Sequence, residues 1–302
     1  MRHYQHLVSE RWADYELLDS GDGEKLERFG AVTLVRPETQ ALWAKQHPEL
    51  WKDADAEFVS AEGKGTWKIK KEAPPPAGGW EMSRGPLRFL VRLTSFKHVG
   101  IFPEQEPNWE WLRIHVLDVV RPTSDVGRTT SYIPNVLNLF GYTGIGTLAV
   151  AHPGAKVTHV DASKQSLDWA HENAKLTGLA DDAVRWIPDD ALTFAKREVR
   201  RGAKYDGIIL DPPAFGRGPK GEVWHIERDL PTLLAALKEL LAEKPGAFFL
   251  LSCYAAGYAP RSLAQAVESV FGTVAGESGE LHIKESSSER VVPSGIYCRF
   301  TR

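Results

Sequence analysis

From Val136 to the end of the chain, short apolar runs alternate with stretches in which apolar residues recur every three or four positions. The runs Val136 to Phe140, Lys156 to Val160, Gly207 to Leu210 and Ala247 to Leu251 predict buried strands, and the periodic stretches between them predict helices packed on the sheet. Ser163 opens one helix as an N-cap, which runs to Thr177 and is closed by Gly178. Leucines at helical spacing mark another over Leu230 to Leu241. Strands separated by helices form parallel βαβ units, so a doubly wound, Rossmann-like α/β sheet is expected here. Leu281 to Ile283 and Gly295 to Arg299 read as two further strands across a polar turn, a terminal antiparallel hairpin.

Upstream the pattern is different. Ala31 to Val35, Thr66 to Ile69 and Leu87 to Thr94 are short β-like runs separated by turn-rich sequence. Asp19 to Gly23 and Pro74 to Gly79 read as surface turns, because proline fixes φ and glycine frees the backbone. At 302 residues the chain exceeds what one hydrophobic core usually supports. The expectation is a small β-rich domain over residues 1–95 and an α/β domain over 96–302.

Composition narrows the setting. The chain has no apolar stretch near the roughly 20 residues of a membrane span, and its first residues are polar, so a cytoplasmic protein without a membrane partner is expected. Two cysteines, Cys253 and Cys298, are too few for a disulfide framework or a structural zinc site, and no metal is expected. Cys298 reads as a small buried apolar residue of the last strand. A net charge of −3 speaks against a globally basic nucleic-acid binder. One local exception lies between Lys64 and Lys97, where Lys68, Lys70, Lys71, Arg84, Arg88 and Arg92 interleave with Trp67, Trp80, Phe89 and Phe96. Such a stretch suits a phosphate backbone with stacked bases, and equally suits a β-sheet whose aromatics face the core.

The first strand runs into Asn138-Leu139-Phe140-Gly141-Tyr142-Thr143-Gly144-Ile145-Gly146. Glycines after a strand allow a sharp turn and close approach of a ligand to the backbone, pointing to a nucleotide-like molecule. The order G-x-x-G-x-G departs from the dinucleotide fingerprint, so a pyrophosphate is not clearly provided for. Asp161, about 20 residues past the first glycine, ends the second strand, where a carboxylate can accept both hydroxyls of a ribose. Asp189-Asp190-Ala191 is placed either to cap a helix or to meet the exocyclic amine of an adenine. Asp211-Pro212-Pro213-Ala214-Phe215 leaves the carboxyl edge of the strand Ile208 to Leu210, where ligands bind in this architecture. The prolines fix the backbone and direct carbonyls toward a substrate, and Phe215 can stack on a base taken out of its helix. Arg217 to Gly221, with Trp224 and His225, reads as a glycine-rich basic loop, either a mobile lid with a phosphate contact or a solvated surface loop.

Together, Asn138-Leu-Phe-Gly-Tyr-Thr-Gly144, Val160-Asp-Ala-Ser163, Asp189-Asp190 and Asp211-Pro-Pro-Ala-Phe215 resemble the class I bacterial 23S ribosomal RNA methyltransferases over roughly residues 95–302. Within that group the chain is most similar to the large-subunit 5-methylcytosine enzymes and their uncharacterised relatives, which carry a similar segment, here Gly100-Ile-Phe-Pro-Glu-Gln105, ahead of the glycine loop. The resemblance implies S-adenosylmethionine as cofactor and ribosomal RNA as partner. It implies that Asn138, Phe140, Thr143 and Gly144 line the methionine part, that Asp161 holds the ribose and Asp190 the adenine amine, and that Asp211 closes the site near the methyl group. Gln105, Gly141, Tyr142, Ala162, Asp189 and Ala191 complete the expected cofactor set. Those enzymes often begin with an RNA-binding PUA domain, a pattern that residues 1–95 do not show.

The same resemblance gives Cys253, in Phe249-Leu-Leu-Ser-Cys253-Tyr254, the position of the nucleophilic cysteine of the 5-methylcytosine enzymes. Carbon 5 of cytosine becomes nucleophilic only after a thiolate adds to carbon 6. The expected reacting set is therefore Cys253, Asp211, Pro212, Pro213 and Phe215. If Cys253 is a buried apolar residue instead, the Asp-Pro-Pro-Ala-Phe motif still suits methylation of an exocyclic amine. A small-molecule methyltransferase, or an NAD-type oxidoreductase on the same sheet, is the competing reading.

Overall fold

A computed structural model describes residues 3–61, 64–72, 75–120, 132–254 and 257–302. The chain divides into two compact units: Leu7–Pro107 with Leu281–Ser294, and Met1–His6 with Asn108–Glu280 and Gly295–Arg302.

The second unit holds the expected α/β sheet. Its elements are α1 (Glu106–Val120), β1 (Asn135–Leu139), α2 (Ile145–Ala151), β2 (Lys156–Asp161), α3 (Lys164–Thr177), β3 (Val184–Pro188), α4 (Ala191–Arg200), β4 (Gly207–Leu210), α5 (Ile226–Leu240), β5 (Phe248–Cys253), α6 (Pro260–Phe271), β6 (Gly276–Lys284) and β7 (Val291–Thr301). α1 starts two residues before this unit, and β6 and β7 each continue into the other one. The strand order is β3-β2-β1-β4-β5-β7-β6. β1 to β5 pair in parallel and β7 lies antiparallel to β5; the C-terminal strands extend the sheet as the sequence predicts, and the short strands His3–Tyr4 and Leu7–Ser9 pair in parallel with β6 beyond them. Alternation along the strands sorts the core onto two faces. Leu137, Leu139, Ile208, Leu210, Phe249 and Leu251 pack with Phe194 of α4 and Leu233, Leu234 and Leu237 of α5. Val136, Val157, Ile209, Phe248 and Leu250 pack with Leu112 and Val116 of α1 and Val150 of α2. Strand order reverses between β1 and β4, so the loops leaving their carboxyl ends diverge and open a crevice, the place where such sheets bind ligands.

The N-terminal unit contains a five-stranded sheet of Tyr15–Gly21, Glu24–Phe29, Val32–Pro37, Ala56–Ala61 and Lys64–Ile69, and a hairpin of Trp80–Arg84 with Leu87–Val91. The segment read as a surface turn at residues 19–23 is mostly strand: Asp19 and Ser20 are buried, and only Asp22 and Gly23, both at positive φ, make the turn. Two consecutive left-handed residues suit the twist of a tight hairpin, which is why Asp-Gly sits there. In the second expected turn, residues 75–79, Gly79 donates to the carbonyl of Pro76; Pro74 lies outside the described residues.

Four of the six basic residues named in this stretch pair with carboxylates of the same unit. Lys70 pairs with Glu57 at 2.7 Å, Lys71 with Asp55 at 2.9 Å and Arg88 with Glu81 at 2.5 Å, while Arg84 pairs with Glu106. Phe89 is fully buried, and the indoles of Trp67 and Trp80 donate to the carbonyls of Thr94 and Phe29; Phe96 alone of the four aromatics is well exposed.

Candidate active site

β1 ends at the crevice, and the loop that follows is shaped by backbone conformation. Phe140 and Tyr142 both have positive φ, +56° and +48°, as does Gly144 at +88°. A left-handed non-glycine residue costs about 1 kcal/mol or more, so the surrounding structure must hold it. Part of that hold comes from below. A Cβ on Gly141 would lie 2.4 Å from the ring of His159, so only glycine lets the loop rest on this imidazole. His159 is a buried residue of β2, and burial pushes its pKa down to about 3, leaving a neutral ring. Its Nδ1 lies 2.8 Å from the Thr147 hydroxyl oxygen, which accepts from Asn138 Nδ2 at 2.9 Å. The side chain of Asn138 is thus committed to a buried triad under the loop. Thr143 is also buried, and its carbonyl accepts from Asn173 of α3.

Asp161 ends β2 beside this loop. Its two carboxylate oxygens accept from the backbone N–H groups of Tyr142 and Ser163, each at 2.8 Å. Burial raises its pKa, and those two bonds oppose the rise. Each oxygen keeps a second lone pair for a further donor. Ala162 follows, half-buried, and Ser163 caps α3 as the sequence predicts. After β3, Asp190 caps α4 by accepting from Thr193 N at 2.8 Å. Asp189 accepts from Asp190 N and pairs with Arg197 at 2.6 Å. Ala191, first in α4, packs into the core. Gln105 belongs to the other unit, at the end of the 3-10 turn Pro103–Gln105.

On the far side of the crevice, β4 delivers residues 211–215. Burial pushes the Asp211 carboxyl up to about 6, a rise opposed by a hydrogen bond with the Ser252 side chain. Cys253, the last residue of β5 and 1% exposed, points its Sγ at the Pro212 carbonyl, 3.6 Å away. The carbonyls expected to face a substrate are instead used within the protein. Pro213 O accepts from Trp224 Nε1 at 2.7 Å, and Ala214 O accepts from Ile226 N at 3.1 Å. Residues 218–221 of the expected basic loop do form a loop, and it joins two short paired strands, Phe215–Arg217 and Val223–His225. Phe215 is 50% exposed, with its ring edge-on to His225 at 5.0 Å.

The sheet edge therefore brings together residues 138–146, Asp161, the Asp189-Asp190 cap, Asp211 and Cys253. Sequence reasoning missed Thr147 and His159 beneath the loop, and named Trp224 as part of a loop beside the site without its burial. A histidine inside the otherwise apolar second strand was the available signal for His159. The donor set fits a nucleoside with a short polar extension: a carboxylate for the ribose diol, glycine backbone for close approach, and no lysine or arginine in residues 138–146 for a pyrophosphate.

Comparison with known proteins agrees. The crystallised SAM-dependent methyltransferase of Agrobacterium tumefaciens is 40% identical, with a TM-score of 0.89 over 98% of this chain and 93% of that one. Ribosomal RNA large subunit methyltransferase K/L of Alteromonas mediterranea is 33% identical over 223 residues, 73% of this chain and 27% of that protein. Methyltransferase K of Neisseria meningitidis serogroup B is 26% identical over 235 residues, 74% of this chain and 61% of the other. The chain thus spans less than two thirds of these curated relatives. No described helix is long and apolar enough to cross a membrane. The model of the S-adenosylmethionine-dependent methyltransferase family matches residues 46–265, well over half the sequence, and the chain belongs to that family.

Proposed function

We propose that the protein methylates a base of ribosomal RNA, at carbon 5 of a cytosine, with Cys253 as the nucleophile. The observation that carries this reading is the thiol of Cys253 set against the Pro212 carbonyl, one strand from Asp211 at the same sheet edge. The exocyclic-amine reaction draws no comparable support, since the carbonyls of Pro213 and Ala214 are already used by Trp224 and Ile226. The relatives named as ribosomal RNA methyltransferases support the substrate class. Half-exposed Phe215 supports it too, as a ring on which an unstacked base can lie.

The bound cofactor supplies an electrophilic methyl group on sulfonium; Asp161 and the backbone of residues 140–144 would hold it. The protein's own part is to make carbon 5 nucleophilic. The Cys253 thiolate adds to carbon 6, and Asp211, protonated in part near neutral pH because it is buried, gives its proton to ring nitrogen 3 as electrons move onto it. After methylation the carbon-5 proton passes to water, the bond from Cys253 to carbon 6 breaks, and nitrogen 3 returns its proton to Asp211. Cys253 is covered by Pro212, so the proline must shift before a base reaches the thiol.

The test is methyl transfer from tritiated S-adenosylmethionine to ribosomal RNA from cells lacking this protein. Cys253→Ala is expected to lose turnover by about 10³-fold or more, and RNA bearing 5-fluorocytidine to remain covalently attached to the wild-type enzyme. An active Cys253→Ala would move the chemistry to an exocyclic amine. No acceptor among ribosomal RNAs would remove the RNA reading.

A further inference from the structure

We propose that Trp224 is a positioning residue that ties the cofactor loop to residues 211–215, so that ordering of the first sets the second. In the hairpin, Phe215 pairs with His225, Gly216 with Trp224 and Arg217 with Val223. Side chains alternate across a strand, so Phe215, Arg217, Val223 and His225 share one face and are exposed, whereas Trp224 turns to the other and is 3% exposed. Gly216 opposite it contributes no side chain; a Cβ there would meet Trp224 Cβ at 3.7 Å.

The buried indole makes two contacts on two different loops. Its Nε1–H donates to the Pro213 carbonyl at 2.7 Å, in the segment that carries Asp211. Its ring lies 5.0 Å from the ring of Phe140, tilted by 59°. Phe140 is one of three non-glycine residues with positive φ among the described residues, a conformation that persists only where neighbours enforce it. Trp224 is such a neighbour. An indole is rigid, and its N–H is a donor that must be satisfied when buried, so neither contact is easily exchanged for another. The two loops diverge from β1 and β4, on either side of the point where strand order reverses, and the same side chain touches both. A free-energy coupling of this kind is reciprocal: what orders the loop after β1 favours the placed form of residues 211–215, and the reverse.

The proposal rests on the family assignment and on no particular RNA, and its test uses none. S-adenosylhomocysteine is titrated calorimetrically into the intact chain, and hydrogen–deuterium exchange is followed in peptides covering 138–146 and 211–217. In the wild type, ligand should slow exchange in both. Trp224→Phe keeps the ring and drops the N–H; its affinity should stay within about twofold and protection of 138–146 should remain, while protection of 211–217 is lost. Trp224→Leu also drops the ring on Phe140 and should weaken binding about tenfold. Trp224→Met, longer and more adaptable to the space, decides if the leucine variant does not fold. Two results would overturn the proposal: undiminished protection of 211–217 in Trp224→Phe, or wild-type affinity in the leucine or methionine variant. If the wild type itself fails to bind, the cofactor assignment falls, and this proposal with it.

Discussion

Two sets of shielded ionisable groups, one in each unit, are answered in different ways. In the N-terminal unit Lys25, Glu27, Arg36 and Glu38 are all buried, and each faces opposite charge: Arg36 to Glu27 at 2.7 Å, Lys25 to Glu27 at 3.6 Å and Lys25 to Glu38 at 3.5 Å. The Tyr15 hydroxyl adds a bond to Glu27 at 2.8 Å. Burial would raise the Glu27 pKa, but Arg36 and Lys25 win and hold it below the usual range. In the α/β unit Asp161 and Asp211 are answered by backbone N–H groups and a serine hydroxyl, and both pKa values rise. A buried charge met by a counter-ion is architecture. One met by dipoles at the ligand edge of a sheet keeps the capacity to bind or exchange a proton. Glu104 is the exception in the N-terminal unit: burial pushes it up to about 7 against the pull of Lys25 and Arg36, and it lies in the segment ending at Gln105 that the family resemblance associates with the cofactor.

The sharpest way to break the comparison is Glu27→Gln. It leaves Arg36 and Lys25 facing a neutral amide in the interior, and the expected loss is about 3–5 kcal/mol of folding stability in urea. Affinity for S-adenosylmethionine, measured on the folded fraction, should not change. A variant of normal stability with weakened cofactor binding would assign the buried network to function after all. Asp161→Ala is the mirror experiment. If Asp161 holds the ribose diol, its removal should cost about 2 kcal/mol of calorimetric binding free energy, about 30-fold, with little loss of stability because no counter-ion is stranded. If stability falls as much as affinity, Asp161 is chiefly a clamp on the Tyr142 and Ser163 backbone.

What was legible in the sequence follows the same division. Periodicity and caps are local, so β4 and α3, the latter with Ser163 and Gly178 at its ends, were predictable to within a residue. The glycine loop and Asp161 were legible because they are backbone requirements at a strand end. Long-range pairing was not. The basic excess between Lys64 and Lys97 shrinks once Asp55, Glu57 and Glu106, which lie outside that window, are counted as partners of Lys71, Lys70 and Arg84. Arg217 to Gly221 read as a loop and residues 218–221 are one, but the short strands that pair on either side were not legible, because the buried place of the Trp224 indole is not announced by its neighbours. Of the Pro-Pro carbonyls expected to face a substrate, that of Pro213 is taken by that same indole and that of Pro212 faces the Cys253 thiol.

The smallest effect discriminates most finely, because it asks whether Asp211 holds a proton. Its folded pKa, about 6, lies above the ordinary 3.8, so the fold prefers the protonated acid. The stability this contributes is fully present below the unfolded value and is lost as pH rises through about 6, the reverse of a carboxylate paired with a cation. Asp211→Asn, which mimics the neutral acid, should match the wild type near pH 3 and exceed it by about 1–2 kcal/mol at pH 8, a figure discounted for the partial exposure of the residue. Thermal unfolding across that range reads the difference directly. Turnover should move the other way: if Asp211 donates to the ring nitrogen, wild-type kcat falls above a pH near 6, and the asparagine variant, with no proton to give, is slow at every pH and shows no such limb. Equal stability of the two proteins at pH 8 would mean that a cation reaches Asp211 after all, and would move it from the reacting centre to the architecture, beside Glu27.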